Sequence, residues 1–146
     1  MKIKKLHPNA VIPTYGSEYA AGADLYACFD ADFKVIPPHE TVKIGTGLAM
    51  EIDCGWWGGI YARSGLATKQ GLAPANMVGV IDSDYRGEII VAIHNYSNEE
   101  RFINNGDRIA QFVIHAAYRP LEGFVVVDEL SDTTRGTGGF GSTGTN

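Results

Sequence analysis

Apolar residues in this chain recur at every second position in short runs, and the runs end at Gly, Asn, Asp or Pro, which leaves almost no room for helix. In Ala23–Phe29 the residues Ala23, Leu25, Ala27 and Phe29 share one face of a half-buried strand. Asp24 falls on the other face, where a solvent-exposed carboxylate is expected. Phe33–Ile36 is a second run, ended by Pro37-Pro38. Thr41–Ile52 alternates loosely around Gly45 and Gly47, and Glu88–His94 is rich in β-branched residues. Arg108–Tyr118 sets Ile109, Gln111, Val113 and His115 opposite Ala110, Phe112, Ile114 and Ala116. Turn chemistry separates the runs at Asp53-Cys54-Gly55, Asn104-Asn105-Gly106-Asp107 and Leu121-Glu122-Gly123, and the Asn-Gly pair predicts a hairpin. Only Ser64–Gly71 reads as helix, with Ser64 as its cap, Lys69 in its last turn and Gly71 as its stop. Many short strands with one helix predict an all-β fold: an antiparallel sandwich, barrel or jelly roll.

A chain of 146 residues with 45% hydrophobic and 20% charged residues suits a single globular domain. Residues 1–130 are expected to form the β core. Residues 131–146, polar and rich in Gly with Phe140 as the one large apolar side chain, are expected to form a flexible arm. The net charge of −5 argues against non-specific nucleic-acid binding, which needs a basic surface. No apolar stretch approaches the length of a membrane span, and the first residues lack the apolar stretch of a signal peptide. Cys28 and Cys54 have no second Cys or His at metal-ligand spacing, so two reduced thiols in a cytoplasmic protein are expected.

The chain holds 18 glycines, above the usual proportion of about 7%, and they cluster with polar residues. Arg135-Gly136-Thr137-Gly138-Gly139-Phe140-Gly141-Ser142-Thr143-Gly144 offers backbone N–H groups, a guanidinium and hydroxyls to an anion. Ala62-Arg63-Ser64-Gly65 opens the helix; Ser64 as a plain cap and an anion site at the helix start both fit it. Gly79–Gly87 contains Asp82-Ser83-Asp84-Tyr85, which suits either a turn or a water-activating site between two strands. Gly106–Gln111 places Arg108 at a strand start and Gln111 three residues on, and a solvated strand edge fits it as well. Of six arginines, Arg63, Arg86, Arg108 and Arg135 fall in these Gly-flanked segments, and arginine suits bidentate phosphate contacts. On residues alone, the expectation is a small phosphate-bearing ligand.

Taken in order, Ala20-Ala21-Gly22-Ala23-Asp24-Leu25, Arg63-Ser64-Gly65-Leu66-Ala67, Gly79–Gly87, Gly106–Gln111 and Arg135–Gly144 resemble the five motifs of the homotrimeric dUTP pyrophosphatases, the dUTPases. The resemblance spans nearly the whole chain, with Ala62 standing where many members carry Pro. It implies a jelly-roll-like β barrel and hydrolysis of dUTP to dUMP and pyrophosphate, which keeps uracil out of DNA and supplies dUMP for thymidylate synthesis. It implies that Asp82 activates the water that attacks the α-phosphorus and that Tyr85 packs under the deoxyribose and excludes a 2′-hydroxyl. Asn76, Val80 and Ile81 would read uracil, while Arg63, Ser64, Gly65 and Gln111 hold phosphate oxygens. Arg135, Phe140, Gly141, Ser142 and Thr143 would close over base and phosphates. Mg2+ would ride on the triphosphate and meet Asp24 only through water. The trimer would share its sites. The arm beyond Asp128 reaches about 60 Å when extended, enough to cover a neighbour.

Two other readings stay open on the residues. A dCTP deaminase relative would need a carboxylate for attack on cytosine, and Glu88 is the nearby Glu. A nucleotide-gated regulatory protein would couple the same site to a partner.

Overall fold

The computed structural model describes residues 1–120 and 123–139. Twelve strands and one helix are formed among them: β1 (Lys2–Lys5), β2 (Thr14–Tyr15), β3 (Ala23–Tyr26), β4 (Phe33–Ile36), β5 (Thr41–Gly45), β6 (Leu48–Glu51), β7 (Trp56–Tyr61), α1 (Ser64–Gln70), β8 (Leu72–Pro74), β9 (Gly79–Ile81), β10 (Ile90–Asn95), β11 (Arg101–Asn104) and β12 (Arg108–Ala116). All pairings are antiparallel. The largest sheet has the order β2-β3-β12-β7-β9, a second has β5-β10-β8, and β1-β6 and β11-β4 form ribbons.

Between the two larger sheets lies one core. Leu25, Ile60, Ile109 and Phe112 of the first share one buried cluster with Ile44, Leu72, Val91 and Ile93 of the second and with Ile36 and Ile103 of the β11-β4 ribbon. Burying these aliphatic side chains is what the period-two pattern encodes, at roughly 25 cal/mol per Å2 of apolar surface. Asn95 is fully buried in the same region. Its amide donates to the carbonyls of Ile36 and Glu99 and accepts from Ser97, so each of its polar atoms is satisfied.

The expected jelly-roll-like β fold is what the chain adopts, but the expected hairpin at Asn105-Gly106 is not formed. The turn itself exists: Gly106 has φ +86° and the Asp107 amide donates to the Asn104 carbonyl. However, β11 pairs with β4 while β12 pairs with β3 and β7. β6 to β7 and β9 to β10 cross between sheets in the same way. A turn residue sets where the backbone reverses, and the apolar face that needs covering sets which strand is paired. Thr41–Ile52 splits in two at Gly47, whose φ of +65° breaks the strand. Phe124–Val127, apolar enough for a strand, lies outside any sheet with Phe124 101% and Val126 97% exposed.

Candidate active site

β3, β12 and β7 place their polar residues in one row. Asp24 of β3 faces Gln111 of β12, and Gln111 faces Tyr61 at the end of β7. Two residues after Tyr61 comes Arg63, at the entrance of α1. Its Nε donates to Asp24 Oδ1 at 3.0 Å and its Nη1 to the Arg108 carbonyl at 3.0 Å. Arg108, at the start of β12, donates from Nη1 to Asp24 Oδ2 at 3.2 Å. Asp24 is therefore buried rather than exposed, because two guanidinium groups cover it. The carboxylate offsets one of the two positive charges and leaves a net cationic rim.

This rim borders a cavity of about 520 Å3 that runs along α1 and is lined by Arg63, Gly65, Lys69, Asn104 and Arg108, among others. Ser64 is not the cap that the sequence suggested. Arg63 holds the extended N-cap position with φ −84° and ψ 128°, and no side chain caps the helix. Ser64 is already the first helical residue, and its hydroxyl has no partner among the described residues. Gly71 ends the helix in the left-handed conformation with φ 68°, as expected, and Lys69 stands in the last turn. Arg108 and Lys69 border this cavity, though sequence reasoning assigned neither to the site. The signal for Arg108 was its place in the Gly106–Gln111 segment; Lys69 was marked only as the basic residue in the helix's last turn.

A second cluster stands on β9 and the loop that follows it. Val80, Ile81, Asp82 and Tyr85 line a cavity of about 150 Å3, with Glu88 and Ile90 behind them. Asp82 is exposed, and its carbonyl accepts from the Tyr85 amide at 3.1 Å. The Tyr85 hydroxyl donates to the Glu88 carbonyl at 2.9 Å, which fixes the ring beside Asp82. Asn76 precedes β9 in a tight turn whose Met77 has φ +62°, and its side-chain amide lies beside Gly79. Arg86 does not join this face as an anion ligand. Its Nη1 donates to the carbonyls of Ser83 and Tyr85, so it braces its own loop. Arg135 likewise closes on its own turn, donating from Nε to the Gly138 carbonyl. Phe140, Gly141, Ser142 and Thr143 lie outside the described residues.

The two clusters sit at opposite ends of the sheet. β9 pairs with β7 so that Ile81 faces Gly58, which sends Asp82 toward Trp57. Arg63 lies beyond Tyr61, at the other end of β7. From Gly58 to Tyr61 the strand already rises about 10 Å, before the flanking residues add to the gap. One chain therefore carries two separate clusters: guanidinium groups and Gln111 at one end, a carboxylate beside an aromatic ring at the other. Among the described residues no group of three or more His, Cys, Asp or Glu is placed to hold a metal ion. With both Asp24 oxygens accepting from arginines, these residues do not fit a metal ion held by the protein.

An antiparallel β fold that separates a cationic rim from a carboxylate-aromatic cluster places the chain among the jelly-roll-like β proteins. Residues 8–144 match the dUTPase family, and this chain belongs to it. It is 51% identical over 144 residues to the deoxyuridine 5′-triphosphate nucleotidohydrolase of Nautilia profundicola, covering 99% of this chain and 98% of that one. The enzyme of the same name from Escherichia phage T5 is 46% identical over 148 residues, with 99% and 98% covered. Among solved structures, a mutant dUTPase of Staphylococcus bacteriophage 80alpha with dUpNHpp superposes with a TM-score of 0.87 at 29% identity, covering 98% of this chain and 97% of that one. A mutant dUTPase from phage phi11 of S. aureus, described with a structural Mg(II) ion, has a TM-score of 0.77 at 27% identity, covering 88% and 96%.

Proposed function

We propose that this chain hydrolyses dUTP to dUMP and pyrophosphate at sites shared between copies of a homotrimer. Family membership carries the reaction; the separation of the two half-sites carries the sharing. Asp82 of one copy would face Arg63, Ser64, Gly65 and Gln111 of another, and the substrate would bridge them. The phosphate oxygens would accept from the Arg63 guanidinium, the Ser64 hydroxyl and the Gln111 amide, which stabilises charge as it develops on the leaving pyrophosphate. Asp82 would accept a proton from the attacking water and hold it in line with the α-phosphorus. Tyr85, already fixed by its bond to Glu88, would pack against the sugar where a 2′-hydroxyl would clash. Asn76 and the backbone at Val80 and Ile81 would pair with the uracil edge, so that a wrong base leaves buried polar groups unpaired. Magnesium is proposed to arrive with the triphosphate and to neutralise part of its charge.

Assembly is supported by the exposed Phe124–Val127 run, an apolar segment that a second copy would cover. The arm from Ser131, with Arg135, Phe140, Gly141, Ser142 and Thr143, would close over a neighbouring site. A cytoplasmic location is part of the same proposal. Cys28 and Cys54 are both free, and no helix among the described residues is long and apolar enough to cross a membrane. The deaminase reading is the weaker one, since Glu88 Oε1 is already engaged by the Gly47 amide at 2.8 Å. Pyrophosphate release from dUTP, UTP, dTTP and dCTP tests the assignment. Release from dUTP alone is expected; ammonia from dCTP, or equal turnover of UTP, would refute it.

A further inference from the structure

We propose that Tyr61 and His115 are positioning residues: their hydrogen bond holds the Tyr61 ring back along β7 and so keeps the Gln111 amide open to phosphate oxygens. The inference rests on the dUTPase reading and deepens it at Gln111. Gln111, Val113 and His115 of β12 lie opposite Tyr61, Gly59 and Trp57 of β7, on one face of the largest sheet. The Tyr61 hydroxyl and His115 Nε2 share a hydrogen bond of 3.0 Å. The imidazole in turn stacks on Trp57, with ring centroids 4.6 Å apart and planes 22° from parallel. All three rings are half-buried.

Gly59 makes this arrangement possible. A Cβ there would come within 2.6 Å of Tyr61 Cε2 and 3.1 Å of His115 Nε2. The Tyr61 ring therefore lies over the glycine and points away from Arg63, which follows two residues later. Its other rotamers stand the ring upright or lean it toward the end of the strand. Directly opposed Cβ atoms on adjacent strands lie about 4.5–5.5 Å apart, so a ring in those rotamers would cover the Gln111 amide. The bond to His115, itself held by the Trp57 stack, removes them. A site whose open form is only partly populated binds its ligand more weakly by that fraction. Releasing the ring thus weakens phosphate binding and leaves the chemistry that follows it intact.

The test measures binding of dUpNHpp and of deoxyuridine, and kcat and KM for dUTP. It compares the wild-type chain with Tyr61→Phe, His115→Phe, His115→Gln and the double variant His115→Phe/Tyr61→Ala. Tyr61→Phe and His115→Phe each remove the bond and keep the ring. Both should raise KM and weaken dUpNHpp binding about three- to tenfold, the worth of one hydrogen bond, with kcat and deoxyuridine binding unchanged. His115→Gln, which can still bond the hydroxyl, should recover most of the affinity. The double variant has no ring to swing and should bind dUpNHpp like the wild type. Tyr61→Phe, the smallest change, keeps the test informative if a His115 variant does not fold. Unchanged affinity in the variants that lose the bond would overturn the proposal, as would a loss that the double variant does not restore. An equal loss for deoxyuridine would overturn it in favour of a general structural role. Failure of the wild-type chain to bind dUpNHpp would instead refute the dUTPase reading itself.

Discussion

Replacing Gly65 by alanine separates stability from activity. Gly65 is the second residue of α1, its φ is not left-handed, and a Cβ built on it meets nothing within 4 Å. Nothing in the fold therefore requires glycine there, and alanine is the better helix former by about 0.5–1 kcal/mol. Gly65→Ala should raise stability by up to that amount, which for a domain of this size is about 1–4 °C in Tm. If Gly65 is glycine so that phosphate oxygens can approach the backbone, the same change should lower kcat/KM by at least about tenfold, equivalent to 1.4 kcal/mol. Gly58→Ala is the contrasting control. Its Cβ would overlap the Phe112 ring and press on Ile52, so it should lose about 1–3 kcal/mol through overpacking. The assays are thermal unfolding and initial rates of pyrophosphate release. A destabilised Gly65→Ala, or one with full activity, would refute the reasoning.

Further expectations concern the acid, the arm and the thiols. Asp82→Asn should abolish turnover and leave dUpNHpp affinity within about threefold, because the amide keeps the shape and loses the base; calorimetry beside a rate assay checks it. Deleting residues 131–146 should leave melting and assembly size unchanged while activity falls steeply, as sedimentation and rate measurements would show. Burial, helped by the Glu88 and Asp30 carboxylates, pushes the Cys28 thiol up, whereas Cys54 is exposed. A thiol reagent at pH 8 should thus react in one fast phase that Cys54→Ser removes, and slowly with Cys28.

Much of the fold was legible because β3, β4 and β12 fall on short apolar runs bounded by turn residues, and because Gly71 stops α1 where a left-handed residue is needed. β7 was hidden by Gly58 and Gly59, which resemble turn residues. They are glycines because Phe112 packs over one, and Tyr61 and His115 over the other. β1 was hidden because Lys2–Lys5 is exposed throughout; it pairs with β6 through the backbone and the Lys2–Glu51 ion pair. At the site, the motif residues were visible but their partners were not. Nothing local told that Arg63 and Arg108 would bury Asp24, or that Arg86 would bond to its own loop, since both depend on residues far apart in the chain or on side-chain direction. The gap between Asp82 and Arg63 follows from strand register, which spacing along the chain does not record.

Mixing two inactive variants, Arg63→Ala and Asp82→Asn, probes the shared site most directly. Each is expected to be nearly inactive alone. Refolded together in equal amounts, random trimers that draw Arg63 from one copy and Asp82 from another should regain about one quarter of the wild-type rate. Activity of the mixture no greater than that of the separate variants would show that the two half-sites do not meet across copies.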